Sequence, residues 1–317
     1  MSDYNVIAGL KIKYLSADPS NPEDGQVWYN SSLGKVRVEG VVGTGAWASG
    51  GTLGSPGTTS SAGTQTANVI MGGQRPGNTS NVEEYNGASW SEVNNMPYAA
   101  GNLCGTGTQT AALAFGGYLN VTTTAEYDGT NWTNTGALGT GRELMAGIGI
   151  QTAALAAGGY VRPSTNTTAV EQYNGSSWTG APSLNTGLYG RTGNGTTAAG
   201  LASGGQTGST SNAVEEYNGS SWTTVNARPY AAGSAMGSGT QTSALNYGGN
   251  PASPQKTTVK YDGTNWSTEA NMANNRSMGG GSPSGTSGSA LASTGSGAGT
   301  ATEEFTAPSG TANITSS

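Results

Sequence analysis

Between residues 107 and 136 the chain reads GTQTAALAFGGYLNVTTTAEYDGTNWTNTG, with its apolar positions in short blocks separated by turn-forming residues. AALAFGG is a run of small residues ending in glycines, TAEY alternates toward Tyr127, and NWTNT follows a short turn. Short blocks with period-two alternation, bounded by Gly, Asn and Asp, predict strands. The Asp-Gly of this stretch, and the Asn-Gly of its copies, supply the positive φ of a tight hairpin. The stretch therefore predicts antiparallel strands, the last two joined as a hairpin.

The same pattern recurs: AVEQYNGSSW (169–178) returns almost unchanged as AVEEYNGSSW (213–222). Tryptophans at 47, 90, 132, 178, 222 and 266 stand 43, 42, 46, 44 and 44 residues apart. Five places before each expected Trp comes an aromatic residue, in the series Tyr85, Tyr127, Tyr173, Tyr217, Tyr261 and Phe305. Gly-Gly pairs at 72–73, 116–117, 158–159, 204–205 and 248–249 form a third series, with Thr294-Gly295 as a degraded sixth. Three markers repeating at a period in the forties predict four-stranded propeller blades rather than helical repeats. A residue without Cβ lets a strand approach the neighbouring blade or its large Trp. Each Trp or Tyr can bury roughly 150–250 Å² between blades, substituting for a scarce aliphatic core.

The two aromatic series are out of step at the ends. Trp47 has Val42 five places earlier, and Phe305 has Gly310 five places later, so one orphan at each end makes one complete unit. The segments 45–51 and 300–305 are therefore expected to share a sheet and to close a ring of six blades. With Gly-Gly, Tyr and Trp recurring together over about residues 41–310, the sequence resembles kelch repeats, which form β-propellers. The expected fold is all-β: a six-bladed kelch-like β-propeller over residues 41–317, closed by pairing of N- and C-terminal strands, behind a β-hairpin anchor in residues 1–40. The period is shorter than the roughly 50 residues usual for kelch units.

Composition narrows the chemistry. The chain has 317 residues, a formal net charge of −6, only 12 basic residues, no His and a single Cys. Phosphate-backbone binding needs clustered Lys and Arg, so a nucleic-acid partner is not expected. Without His, and with Cys104 alone, a His-containing triad, a His-ligated or cysteine zinc site and an internal disulfide are removed. The paired carboxylates Glu83-Glu84, Glu215-Glu216 and Glu303-Glu304 fall on adjacent strand positions that point to opposite faces, so neither pair member can serve the other as an acid/base partner. A non-enzymatic protein without cofactor or metal is expected. No apolar run approaches 18 residues, so no membrane insertion is expected, and the N-terminal residues carry no pattern of a secretory signal.

Length variation concentrates between the second Gly of each pair and the following aromatic residue, while the interval from Trp to Gly-Gly hardly varies. In an antiparallel blade these variable loops share a face with the blade-to-blade segments, and loops on a rigid scaffold are where binding usually resides. Tyr118, Tyr160, Arg162, Tyr189, Arg191 and Tyr230 converge there as candidates for glycan binding or protein docking; the plainer reading has them covering blade edges and the channel mouth.

Residues 1–40 lie outside the repeat. VIAGLKIKYLS reads as a strand, ADPSNPEDG as a proline-rich turn and QVWYNSSLGKVRV as a hairpin about Ser32-Leu33-Gly34. The run DPSNPEDGQVWYNSSLGKVRV resembles N-terminal segments of structural proteins of tailed bacteriophages, particularly marine cyanobacterial ones. That resemblance implies a virion protein of tail, fibre or capsid surface, made in the host cytoplasm, oligomeric in the particle and attached to other virion proteins through residues 1–40. Its exposed face would meet host surface glycans or a neighbouring subunit. The alternative from another class is a cellular lectin-like kelch protein.

Overall fold

Aspartate and asparagine set the hairpins. Asp128 Oδ1 accepts the backbone N–H groups of Thr130 and Asn131 at 2.8 and 2.7 Å, and Asn174 Oδ1 accepts those of Ser176 and Ser177 at 3.0 and 2.9 Å. A side-chain oxygen capping its own turn closes the loop locally, and the following glycine takes φ near +90°. The computed structural model describes residues 4–313 apart from 8–9, 20–25, 41–43, 56, 75–76, 251–255 and 309. Every regular element among them is a β-strand.

The chain divides into two compact units, one comprising residues 1–46 with 307–317 and the other residues 47–306. The larger unit carries the repeats as antiparallel sheets. The first sheet holds Thr58–Gly63, Asn68–Gln74, Asn78–Tyr85 and Trp90–Glu92. The second holds Cys104–Thr108, Ala111–Phe115, Thr124–Tyr127 and Trp132–Thr135. The third, fourth and fifth repeat this pattern from Ala146, Thr192 and Met236. In the sixth, three-stranded sheet, Ala46–Ser49 lies beside Thr302–Thr306, as expected from the orphaned aromatics. Trp47 meets Phe305 at 5.3 Å between ring centres, completing across distant chain segments the Tyr–Trp pair that each other unit makes locally at 4.8–5.0 Å. Four-stranded antiparallel sheets in series are the architecture of a propeller-like fold.

Sheet docking uses residues the repeat count did not single out. Gln109 Nε2 donates to the carbonyls of Asn68 and Tyr85, Gln151 Nε2 to those of Ala112 and Tyr127, and Gln241 Nε2 to those of Gly200 and Tyr217, all at 2.7–3.0 Å. Each therefore staples its sheet to the one before. Tyrosine hydroxyls do the same: Tyr127 donates to Glu84, Tyr173 to Glu126 and Tyr261 to Glu216 at 2.9–3.0 Å. The first sheet is bonded equivalently to the sixth, through Tyr85 Oη to Glu304 (2.6 Å), Trp90 Nε1 to Thr302 (2.9 Å) and Gln65 Nε2 to the Phe305 carbonyl (2.7 Å).

Of the two close approaches expected of the glycine pairs, to the neighbouring unit or to its Trp, the structure shows the first. Gly72 and Gly73 have φ of +59° and +130°, and the other pairs repeat this left-handed corner. A Cβ on Gly72 would stand 2.7 Å from the Ala100 carbonyl oxygen, on the segment leading to the next sheet. Thr294, in the degraded sixth pair, takes the same conformation at φ +52° and ties its hydroxyl to Thr59 at 2.8 Å.

The smaller unit is one five-stranded sheet: β1 (Tyr4–Ile7), β2 (Leu10–Leu15), β3 (Val27–Asn30), β4 (Lys35–Gly40) and then Gly310–Asn313. The predicted hairpin about Ser32–Gly34 joins β3 to β4, whereas VIAGLKIKYLS breaks into the β1–β2 hairpin instead of one strand. β2 and β3 run parallel, which the intervening proline-rich segment allows. Pairing of Gly310–Asn313 with β4 had no signal in the sequence.

If the glutamines are staples, Gln151→Ala leaves two buried-edge carbonyls unpaired and lowers unfolding stability by about 1–3 kcal/mol. Urea unfolding followed by tryptophan fluorescence measures it, and an unchanged midpoint would refute the role.

Candidate functional site

Of the six residues singled out, four come together. The Arg162 guanidinium lies 4.2 Å from the Tyr118 ring centre and 5.8 Å from that of Tyr160, while Tyr160 and Tyr189 stand 5.4 Å apart. Such cation–π stacking holds a guanidinium flat. Buried Glu143 fixes it from below, 2.7 Å from Arg162 Nη2, and also accepts from Asn102 Nδ2 at 3.0 Å. The two loops carrying the cluster are tied together, because Asn120 Oδ1 accepts the Arg162 backbone N–H (2.8 Å) and Asn120 Nδ2 donates to its carbonyl (3.2 Å). The Tyr160 hydroxyl donates to the Pro163 carbonyl.

Sequence reasoning missed Leu119 beside this cluster. It is 67% exposed and, with Asn120, sits in the left-handed region at φ +67° and +59°. A large apolar residue held in that conformation is uncommon and marks a shaped loop. The site is thus a rigid, half-buried aromatic platform around one neutralised arginine, suited to stacking against a sugar ring or an apolar partner side chain rather than to proton transfer.

The other two candidates lie elsewhere. Arg191 is buried, with Nη1 2.7 Å from Glu215 and Nη2 3.0 Å from the Ala202 carbonyl. Tyr230 reaches the carbonyls of Gly248 and Thr257 at 3.3 and 3.4 Å and packs near Arg228. Arg142 and Arg276 are spent like Arg191, each threaded among backbone carbonyls of its sheet and paired with Glu171 or Glu303 at 2.9 and 2.7 Å. Glu83, Glu171, Glu215 and Glu303 each also accept two consecutive backbone N–H groups, as Glu83 does from Gly54 and Ser55 at 2.8 Å. The carboxylate pairs accordingly split between internal capping and inter-sheet bonding.

Asn102, Leu144, Gly190, Ser234 and Met278 occupy equivalent left-handed positions in successive units. Each of the last four donates its N–H to the carbonyl of the one before, at 3.0, 2.7, 2.6 and 3.0 Å. This backbone belt borders a cavity of about 130 Å³, also lined by Thr58, Ser60, Cys104 and Arg191. Burial pushes the Cys104 thiol up to about 12, which suits a packing group and not a nucleophile.

Arg228 breaks its own repeat. It stands six residues after Trp222, where the other units have buried Leu53, Met96, Leu138, Leu184 and Met272. Its guanidinium is buried against Gly204 without a carboxylate, its Nη2 donating to the Ala232 carbonyl while Nε and Nη1 lack partners. Burial holds its pKa below the usual arginine range.

Two predictions follow from these environments. Arg228→Met restores the apolar residue of its siblings and raises stability by about 1–4 kcal/mol, because an uncompensated buried charge is removed; calorimetry that shows a lowered Tm would refute it. The second concerns pH. Asp128 and Asp262 are held below their ordinary 3.8 by the backbone N–H groups of Asn131 and Asn265, so their contribution is present above that value and lost as pH falls through the lowered one. Burial, then the neighbouring Glu126, pushes Tyr173 to about 12, and Tyr127 and Tyr261 likewise rise. Those contributions are complete below pH 10 and lost as pH climbs toward the raised values. With no His in the chain, Tm is flat from about pH 6 to 9 and falls on both sides; a midpoint moving steadily across that window would contradict the assignment.

Among known proteins, no protein-family model matches this chain, and no curated protein matches it.

Proposed function

We propose that the chain is a non-enzymatic structural protein of a bacteriophage virion, on tail, fibre or capsid surface, in which a closed six-bladed β-propeller presents a docking face. The observation that carries the propeller part is that the sixth-to-first docking repeats the bonds by which the second sheet docks on the first, the third on the second and the fifth on the fourth. Tyr85–Glu304 repeats Tyr127–Glu84, and Gln65 reaches the Phe305 carbonyl as Gln109 reaches that of Tyr85. A ring stitched in this way leaves few sheet edges open and makes a rigid spacer.

The virion part rests on the resemblance of the run from Asp18 to Val38 to phage structural proteins, together with the separate compact sheet that holds its strands Val27–Asn30 and Lys35–Gly40. Asp18 organises it by accepting from Trp28 Nε1 (2.9 Å) and Asn30 Nδ2 (2.8 Å) and pairing with Arg37 (3.2 Å). In this reading residues 1–40 attach to other virion proteins, and the platform of Tyr118, Tyr160, Arg162 and Tyr189 faces a host glycan or neighbouring subunit. The aromatic platform equally suits a cellular lectin-like protein, which would be made by uninfected cells.

Immunogold labelling of purified particles with antibody to this chain, backed by peptide mass spectrometry, tests the reading. Label at tail or fibre tips is expected if the platform recognises the host, and label over the head if the protein decorates the capsid; particles lacking the chain would sink the virion reading and promote the lectin.

A further inference from the structure

Three hairpins hold the same reactive dipeptide in the same frame. Asn86-Gly87, Asn174-Gly175 and Asn218-Gly219 each bridge the paired ends of two strands, Tyr85 opposite Trp90, Tyr173 opposite Trp178 and Tyr217 opposite Trp222. All three asparagines are exposed. The backbone nitrogen that follows an asparagine can attack the side-chain amide carbon, and glycine presents that nitrogen without a Cβ to crowd the approach. Among the described residues, the N–H groups of Gly87, Gly175 and Gly219 donate to no acceptor, so other bonds do not hold them back.

The hairpins also aim donors at the oxygen on which charge develops during that attack. Asn86 Oδ1 accepts the backbone N–H groups of Ala88 and Ser89 at 3.0 and 2.9 Å. Asn174 Oδ1 accepts those of Ser176 and Ser177 and, in addition, their hydroxyls at 3.0 and 3.4 Å. Asn218 Oδ1 is surrounded in the same way by Ser220 and Ser221, with the hydroxyls at 2.9 and 3.4 Å. Donors placed around an oxygen that becomes negative lower the barrier to addition at its carbon. The second hairpin shows that this frame favours negative charge, since the backbone N–H groups of Asn131 and Thr130 hold the Asp128 carboxyl below its ordinary range.

We propose that Asn174 and Asn218, and more slowly Asn86, are self-modifying sites that become aspartyl residues without an enzyme. The glycine backbone nitrogen bonds to the asparagine Cγ, the Cγ–Nδ2 bond breaks, and Nδ2 leaves as ammonia with the proton that the glycine nitrogen gives up. One water then opens either C–N bond of the five-membered imide, leaving aspartate or isoaspartate. Asp128 and Asp262 stand at the same turn position and accept the same two N–H groups at 2.7–2.8 Å, so the aspartate product keeps the hairpin. Each conversion adds a negative charge to a chain whose net charge is already −6.

The chain carries its own control in Asn194-Gly195. Asn194 is 1% exposed, its Oδ1 accepts only from Asn246 Nδ2 among the described residues, at 3.1 Å, and both residues pair across a strand ladder with Leu201 and Gly200. A ladder fixes the backbone on either side of the peptide bond, so the nitrogen cannot swing onto Cγ.

Timed peptide mapping by mass spectrometry of the unmodified folded chain in mildly alkaline buffer tests the proposal, with the same chain in urea as the reference for sequence alone. In the folded chain Asn174 and Asn218 are expected to convert first, Asn86 behind them, and Asn194 to stay an amide; in urea the four approach one rate. Ser176→Ala, which copies the Asn-Gly-Ala-Ser of the first hairpin, is expected to slow Asn174 by about twofold or more, toward the rate of Asn86, and to leave Asn218 as it was. One common rate at all four sites of the folded chain, amides at Asn174 and Asn218 that outlast an incubation converting them in urea, or an Asn174 rate unmoved by Ser176→Ala would each overturn the proposal.

Discussion

Polar stitching between successive sheets is the interaction on which the large unit depends. Its strands are built from Ala, Gly, Ser and Thr, which fill little volume, so packing alone leaves the sheets weakly joined. Glutamine amides reaching two carbonyls of the preceding sheet, and tyrosine hydroxyls reaching glutamates there, make up the difference. These groups are sheltered by the Tyr–Trp pairs beside them, and a hydrogen bond whose partners would otherwise be stranded is costly to break. Where a unit departs from the pattern, the partner changes too. Gln172 stands at the repeat position that holds a glutamate in the units before Tyr127, Tyr173 and Tyr261, and the Tyr217 hydroxyl donates instead to the Gly219 carbonyl.

The same scarcity of volume explains the buried arginines. Arg142, Arg191 and Arg276 occupy space that bulky aliphatics would fill elsewhere, and their fan of donors satisfies carbonyls left open at the left-handed Gly-Gly corners and the adjoining strand ends. A glutamate in the third strand neutralises each. Arg228 has entered an apolar position without that compensation, because Val259 stands where Glu215 and Glu303 stand in the fourth and sixth sheets.

A rigid scaffold of this kind frees its loops. Asn120 clamps the Arg162 backbone, and Glu143 anchors the guanidinium from the interior, so the Tyr118–Arg162–Tyr160 platform is shaped before any ligand arrives. Preorganisation of this sort lowers the ordering cost of binding. The strain held at Leu119 and Asn120 belongs to the same loop and is sustained by the clamp.

Period, strand order and the pairing of Ala46–Ser49 with Thr302–Thr306 were legible in the sequence, because each repeat carries the same markers and a missing partner at one end identifies the orphan at the other. The hairpin turns were legible for the same reason, since Asx-Gly acts within four residues. The candidate site was half legible. Position in the repeat located Tyr118, Tyr160, Arg162 and Tyr189 on neighbouring loops, but could not say that Arg191 turns inward to Glu215 or that Tyr230 is tied to the fifth sheet. Those outcomes rest on contacts between residues tens of positions apart, which spacing does not encode. The apolar site of Arg228 could have been read by aligning six residues past each Trp, and the glutamine staples by aligning the GTQT turns. Their partners emerge only when one sheet docks on another, because the acceptors are backbone carbonyls that every residue possesses, and only the tertiary structure decides which of them lie within reach.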